Sequence, residues 1–193
     1  MKYSPIIVAG PIQHLTDARY FAAEGADWLL ADVDPTSEYH IDPNTLKAIK
    51  EWVAGPKWVI KGDSLDIDQL LQLGQYVDCN AYIVNDAQRT LNTDTPCWLS
   101  IGGTSPDGNA TDHYSVFYLE VDDLTDLMIP GNKKLYQQTI IRHGNWSTMS
   151  IDIILETIHP LGIVLQGSSE EKVGVKSYDE IEDIYTILKK YLD

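Results

Sequence analysis

The chain has 193 residues, 44% of them hydrophobic and 22% charged, and its 29 acidic residues against 14 basic ones give a formal net charge of −15. This length fits one domain that buries a substantial core. The shortage of Lys and Arg argues against binding to nucleic acid or to an anionic membrane, because both are bound through a basic surface. Solubility alone explains the surplus of carboxylates.

The sequence carries no sign of a membrane span or of a cysteine framework. The N-terminus, MKYSPIIVAG, has no long apolar run, and no apolar stretch of about 18 residues occurs further on. We therefore expect a cytoplasmic protein. Cys79 and Cys97 are the two cysteines, which make neither a disulfide framework nor a metal-ligand pair by spacing.

Apolar, β-branched runs recur along the chain with helical patterns between them, which is typical of parallel βα units. Their number and spacing predict an α/β fold, a single-domain (β/α)8 TIM barrel over residues 1–193. An open flavodoxin-like sheet is the alternative, although it usually has fewer strands. The predicted strands are Ile6–Ala9, Trp28–Ala31, Lys57–Ile60, Ala81–Val84, Trp98–Ile101, Val116–Glu120, Thr139–Ile141 and Gly162–Leu165.

Capping residues and apolar periodicity predict the helices between these strands. An Ala-rich helix follows the first strand. Asp42 is an N-cap followed by Pro43 at the first helical position. Ser64 is predicted to cap the next helix, which closes at Gly74.

The second half of the chain has weaker helical patterns in its middle and clear ones at its end. The segment 102–113 has turn chemistry, so a loop is predicted in place of the helix after the fifth strand, and 122–134 holds at most a short helix. An apolar stripe over 151–158 ends at His159 and Pro160. A capping box at 177–180 begins the last helix.

Three stretches resemble the phosphoribosylanthranilate isomerase family of tryptophan biosynthesis. The first is GPIQHLTDARYFAAEGADWLLADVDPTSEYHIDP, with Asp-Ala opening a helix that ends in Gly-Ala-Asp. The second is YVDCNAYIVND at 76–86, and the third is the end of the chain from 159 to 188, while 87–135 match poorly. The resemblance implies a (β/α)8 barrel that catalyses an Amadori rearrangement, with no cofactor.

In that family a Cys after the first strand is the general base and an Asp at the end of the sixth strand is the general acid. The Cys position falls at Ala9 or Pro11 here, and neither side chain accepts a proton. The Asp position falls at Glu120, where burial would raise the pKa and keep the acid protonated. The alternative is that Glu120 begins a solvated loop with Asp122 and Asp123.

The family binds phosphate on loops after the seventh and eighth strands, and these loops differ here. Arg142-His143-Gly144-Asn145 stands where the family has Ser-Gly-Gly-Leu, and Gln166-Gly167-Ser168 where it has Ser-Ser-Gly. Small residues and free amides still suit an anion, but the added bulk favours altered or lost phosphate binding. The candidate ligand-binding residues are Arg142, Gly144, Gln166, Gly167, Ser168, Asn85 and Asp32.

Two functional interpretations stay open. One is an isomerase-like enzyme with shifted catalytic groups, and the other is a non-catalytic scaffold that binds a small anionic metabolite or a partner. Glu38 replaces a family Arg and would repel an anionic substrate. No metal is predicted, since Asp32, Asp34, Glu120 and His143 lack a diagnostic spacing, and nothing indicates an oligomeric state.

Overall fold

The computed structural model describes residues 3–88, 93–101, 114–128, 133–167 and 177–192. Its strands are β1 (Ile6–Ala9), β2 (Trp28–Asp32), β3 (Lys57–Lys61), β4 (Ala81–Val84), β5 (Cys97–Ile101), β6 (Phe117–Val121), β7 (Thr139–His143) and β8 (Gly162–Leu165). All are parallel, each pairs with its neighbours in the chain, and β8 pairs with β1 to close the barrel. The predicted (β/α)8 barrel is confirmed, and the open-sheet alternative is excluded.

In the described part of the chain, α-helices follow six of the eight strands. The described residues contain α1 (Leu15–Ala23), α2 (Pro43–Glu51), α3 (Ile67–Val77), α4 (Lys133–Tyr136), α5 (Thr148–Thr157) and α6 (Asp179–Leu192). Short 3₁₀ turns at Asp86–Gln88 and Leu124–Met128 follow β4 and β6. The predicted loop at 102–113 lies outside the described residues. None of the helices that the model describes is long and apolar enough to cross a membrane.

Apolar side chains form two layers because neighbouring residues of a strand face opposite sides of the sheet. The larger layer lies between the strands and the helices and includes Ala9, Phe21 and Leu70. The smaller layer fills the inside of the barrel. Its buried residues are Val8, Leu30, Val59, Ala81, Ile83, Trp98, Tyr118, Ile140 and Val164.

Two of the predicted helix boundaries are wrong, and both concern α3. Its N-cap is Asp66 rather than Ser64, because Asp66 and Gln69 form a reciprocal capping box. The Ser64 hydroxyl donates instead to Asp34. The helix ends at Val77, with Asp78 as its C-cap in the left-handed region at a φ of 54°, so Gly74 lies inside the helix rather than at its end.

Other boundaries agree with the sequence. Asp42 caps α2, with its carboxylate accepting from the Asn44 and Thr45 amides at 2.9 and 3.2 Å. α5 ends just before His159 and Pro160. In α6 the buried face is formed by Ile181, Ile184, Tyr185 and Leu188, and at its start the Ser177 hydroxyl accepts a hydrogen bond from the Asp179 amide at 3.3 Å.

Candidate functional site

A ring of polar residues surrounds the mouth of the barrel at the carboxyl ends of the strands, where (β/α)8 barrels carry their sites. Each residue of the ring lies two positions beyond a residue of the barrel interior and therefore shares its inward orientation. The residues at these positions are Gly10, Asp32, Lys61, Asn85, Ser100, Glu120, Arg142 and Gln166. At the level of this ring, every position except Gly10 has a polar side chain in place of the apolar ones that fill the barrel below.

The centre of the mouth is an ion-pair network around one carboxylate oxygen. Oε1 of Glu120 accepts from Arg142 Nη1 at 2.9 Å, from the Tyr118 hydroxyl at 2.9 Å and from Lys61 Nζ at 3.2 Å. Glu120 and Arg142 are register partners on β6 and β7. Lys61 reaches the same oxygen from β3, so the network joins strands from different sides of the barrel.

Electrostatics make Glu120 a carboxylate rather than a carboxylic acid. Burial by itself raises its pKa, but the charges of Lys61 and Arg142 and the Tyr118 hydrogen bond lower the pKa to a net value below the ordinary one. The sequence had predicted a raised pKa. That prediction considered burial alone and missed the two cations. The predicted protonated form of Glu120 is therefore corrected to the ionised form.

The two cations are held in their charged forms. Burial lowers the pKa of Lys61, but the charges of Glu120 and Asp63 raise it by more than burial lowers it. The net pKa therefore lies above the ordinary value. Lys61 Nζ lies 3.1 Å from Asp63 Oδ2. The net pKa of Arg142 is raised as well, against the effect of burial, by Tyr118 and Glu120.

Arg142 is fixed on several sides. Its Nη2 donates to Gln166 Oε1 at 3.0 Å, and its guanidinium lies 5.3 Å from the centre of the Tyr39 ring. Its Nε is buried without a hydrogen-bond partner among the described residues. The guanidinium is therefore held between Glu120, Gln166 and Tyr39, while its Nε has no partner in the described part of the chain.

The end of β1 has no room for a catalytic side chain. Ala9 is fully buried in the layer between strands and helices, so the mouth-facing position belongs to Gly10. A Cβ on Gly10 would lie 2.4 Å from the Leu30 carbonyl oxygen, and its φ of +143° disfavours any other residue. Pro11 carries no proton acceptor, and His14 is exposed at the N-cap position of α1.

The end of β7 and the loop after it contain groups that already have partners in the protein. Trp146 Nε1 donates to the Val164 carbonyl at 2.8 Å, and His143 Nδ1 lies 3.0 Å from the Val121 carbonyl. Ser147 and Ser150 form the capping box of α5, which satisfies an amide that an anion would otherwise bind.

Neither of the described loop glycines is required by close packing. A Cβ on Gly144 would meet nothing within 4 Å, and one on Gly167 would be in ordinary contact with Asp17 at 3.7 Å. A glycine cradle for phosphate would instead need the backbone at close approach. Ser168, the remaining loop candidate, lies outside the described residues.

Above the mouth lies a cleft of about 1300 Å³, bounded by the loops after β6, β7 and β8 and by the first turns of α6. Among the described residues that line it, six carboxylates stand against the guanidinium of Arg142. The carboxylates are Glu38, Glu120, Asp122, Asp179, Glu180 and Asp183. This excess of negative charge opposes the binding of a dianion such as phosphate.

Two of the predicted ligand-binding residues have structural partners. Asp32 is 2% exposed and accepts from the Asp34 amide at 3.0 Å and the Ser37 hydroxyl at 2.8 Å, and burial raises its pKa. The Asn85 side-chain amide donates to the Asp63 carbonyl at 3.0 Å. Both residues lie at the mouth, and their hydrogen bonds hold the surrounding loops in place.

Asp34 was a metal candidate in the sequence, and the structure gives it a different role. Its carboxylate accepts from the amide and hydroxyl of both Thr36 and Ser64, at 2.6 to 2.8 Å. Burial raises its pKa, but these hydrogen bonds lower the pKa far below the ordinary value. No group of three or more His, Cys, Asp or Glu within the described ranges could hold a metal ion.

Comparisons with known proteins support the barrel. Neither a protein-family model nor a curated protein matches the sequence. The structure is similar to monomers of the dimeric phosphoribosylanthranilate isomerase of Thermotoga maritima, with a TM-score of 0.77 and 17% identity over 97% of this chain and 99% of that one. The isomerase of Thermus thermophilus matches with a TM-score of 0.71 and 18% identity over 95% and 98%.

A third similar structure is a phosphoribosylanthranilate isomerase in complex with reduced 1-(o-carboxyphenylamino)-1-deoxyribulose 5-phosphate. It has a TM-score of 0.76 and 17% identity over 97% of this chain and 99% of that one. The chain therefore has the fold of these isomerases along nearly its whole length. The family resemblance predicted from the sequence is confirmed at the level of the fold.

Proposed function

We propose that the protein is a diverged barrel of the phosphoribosylanthranilate isomerase type, in which the Amadori activity is absent or residual and the mouth serves as a binding site for a small anion. One observation carries the proposal. The position that would supply the acid, Glu120, is an ionised carboxylate bound between Lys61 and Arg142.

The Amadori rearrangement needs a base that removes a carbon-bound proton and an acid that protonates the ring oxygen. An ionised Glu120 has no proton to donate, and the end of β1 holds Gly10 where a base would face the substrate. Loss of one such group costs on the order of 10²–10⁴ in rate. The absence of both predicts turnover far below that of an ordinary enzyme.

The surroundings of the mouth support the same proposal. Trp146 donates to the backbone of β8 where the related enzymes keep a glycine-rich loop, and the cleft above is acidic. Both features weaken binding of a sugar phosphate. We propose a cytoplasmic protein whose partner is a small anionic metabolite rather than nucleic acid or membrane.

Turnover of phosphoribosylanthranilate by the purified protein tests the proposal. We expect no product above background under conditions where the isomerase of Thermotoga maritima converts the substrate completely. A second assay is growth of a bacterial tryptophan auxotroph that lacks its isomerase, where this chain should give no rescue. Turnover at ordinary enzyme rates, or full rescue of growth, would overturn the proposal.

A further inference from the structure

We propose that Lys61 and Arg142 form a binding site for a small carboxylate ligand, and that Glu120 acts as an internal ligand that occupies this site in the empty barrel. The inference deepens the proposed function because it assigns a ligand class to the mouth. It concerns binding alone, so it holds or fails independently of whether the protein turns over an isomerase substrate.

The contacts of Glu120 show how the site holds a carboxylate. Three donors converge on one oxygen, Oε1 of Glu120, from Arg142 at 2.9 Å, from Tyr118 at 2.9 Å and from Lys61 at 3.2 Å. Charge-assisted hydrogen bonds of this length define where a carboxylate oxygen binds. The Glu120 oxygen marks the position that a ligand oxygen would take.

The anion is the most exposed member of the network. The side chain of Glu120 is 43% exposed, whereas those of Lys61 and Arg142 are 12% and 14% exposed. Asp63 and Gln166 also hold the two cations in place. Glu120 can therefore turn toward solvent while the cations keep their positions, as exchange with a ligand requires.

Arg142 remains short of acceptors even with Glu120 present. The buried Nε of Arg142 has no partner among the described residues. A guanidinium has donors for both oxygens of a planar carboxylate, and partly buried cations are costly without an anion. Removal of Glu120 would leave Arg142 Nη1 without its acceptor as well, so a carboxylate from solution should bind in its place.

A monocarboxylate suits the site better than phosphate. The network is satisfied by one carboxylate of unit charge, while the carboxylates of the surrounding cleft repel a dianion more strongly than a monoanion. Phosphate is therefore the discriminating probe, and it should bind less tightly than a monocarboxylate of similar size.

The experiment is chemical rescue of Glu120→Ala with propionate, which has the size and charge of the deleted group. Binding is measured by titration calorimetry and by the rise in melting temperature with propionate concentration. We expect the variant to bind propionate at least tenfold more tightly than the wild-type protein. Glu38→Ala is the matched control, because it removes another exposed carboxylate of the same cleft.

Further variants locate the binding. Glu120→Ala combined with Arg142→Met should lose the gain in affinity, and Glu120→Gln should gain less than Glu120→Ala. If Glu120→Ala does not fold, propionate binding by Glu120→Gln decides the matter through the same comparison with Glu38→Ala.

Three outcomes would overturn the inference. The variants of Glu120 bind propionate no better than Glu38→Ala, the gain survives in the Arg142→Met background, or inorganic phosphate binds more tightly than propionate. The last result would also contradict the assigned ligand class. None of these results depends on the isomerase assay, so failure here and failure of the proposed function are separate.

Discussion

Two carboxylates near the mouth of the barrel, Glu120 and Asp34, have lowered pKa values for different reasons. At Glu120 the lowering comes from the charges of Lys61 and Arg142. At Asp34, which is 4% exposed, it comes from neutral donors on Thr36 and Ser64. A ligand could replace the Glu120 carboxylate in its network, whereas the hydrogen bonds of Asp34 connect the loop after β2 to the loop after β3.

Replacement of Asp34 by Ala should destabilise the protein by about 2–4 kcal/mol, because the hydrogen bonds that its buried carboxylate accepts from the amides and hydroxyls of Thr36 and Ser64 are lost. Urea unfolding measures this change. Glu51→Ala removes an exposed carboxylate and should shift the stability by less than about 0.5 kcal/mol. Equal effects of the two variants would show that the four hydrogen bonds contribute little.

The same residue predicts a pH dependence. A carboxyl whose pKa is lower in the folded protein than its unfolded value of about 3.9 stabilises fully above that value and loses the effect as the pH falls. The difference in unfolding free energy between wild type and Asp34→Ala should therefore be constant from pH 7 to 5. It should shrink by about 1 kcal/mol at pH 3, and a constant difference would contradict the assignment.

At the scale of elements, the packing of α3 on β4 depends on a missing side chain. Gly74 lies inside α3, and a Cβ there would fall 2.2 to 2.5 Å from atoms of the Tyr82 ring. Tyr82 is 2% exposed and belongs to the core between strands and helices. The glycine thus sets the distance between this helix and the barrel.

Gly74→Ala should destabilise the protein by about 1–3 kcal/mol, because a buried ring cannot yield by the required distance. In an unobstructed helix the same change stabilises by about 1 kcal/mol. The contrast is measured by urea unfolding in a double-mutant cycle with Tyr82→Leu. In the Tyr82→Leu background Gly74→Ala should lose most of its cost, and a stabilising effect in the wild-type background would refute this packing.

These elements also show what the sequence could predict. Apolar runs located all eight strands, but β2, β3 and β7 extend further, to Asp32, Lys61 and His143, because polar strand ends remain paired in a closed barrel. Ser64 and Asp66 are both able to cap a helix, but Asp66 forms the capping box with Gln69 while the Ser64 hydroxyl donates to Asp34. Gly74 is predicted as a helix end because glycine is common there, and only its packing against Tyr82 of β4 shows why a glycine lies inside α3.

At the scale of the whole molecule, the fold followed from the spacing of the strands, but the network at the mouth did not. Lys61 directly follows the predicted third strand, yet β3 and β6 are not neighbours in the barrel, so nothing local in the sequence indicates that Lys61 meets Glu120. The signal that could have revealed the ring is the alternation itself. If a (β/α)8 barrel is assumed, the residue two positions after the last inward-facing residue of each strand is predicted to lie in the ring.

Net charge is the remaining property of the whole molecule, and it predicts a response to salt. With a formal charge of −15, the folded chain repels itself. The Debye length falls from about 30 Å at 0.01 M to about 8 Å at 0.15 M ionic strength, which screens distant surface carboxylates. The partly buried pairs of Glu120 with Lys61 and Arg142 are screened less.

The melting temperature should therefore rise as sodium chloride increases from 0.01 to 0.15 M, by about 2–4 °C for each kcal/mol of repulsion removed. Differential scanning calorimetry measures it at constant pH 7. Chloride is preferred to sulfate, which stabilises proteins by exclusion from their surface. Glycerol at equal osmolality is the uncharged control and should give a smaller shift. A fall in melting temperature would mean that attractive ion pairs outweigh the self-repulsion of the acidic surface.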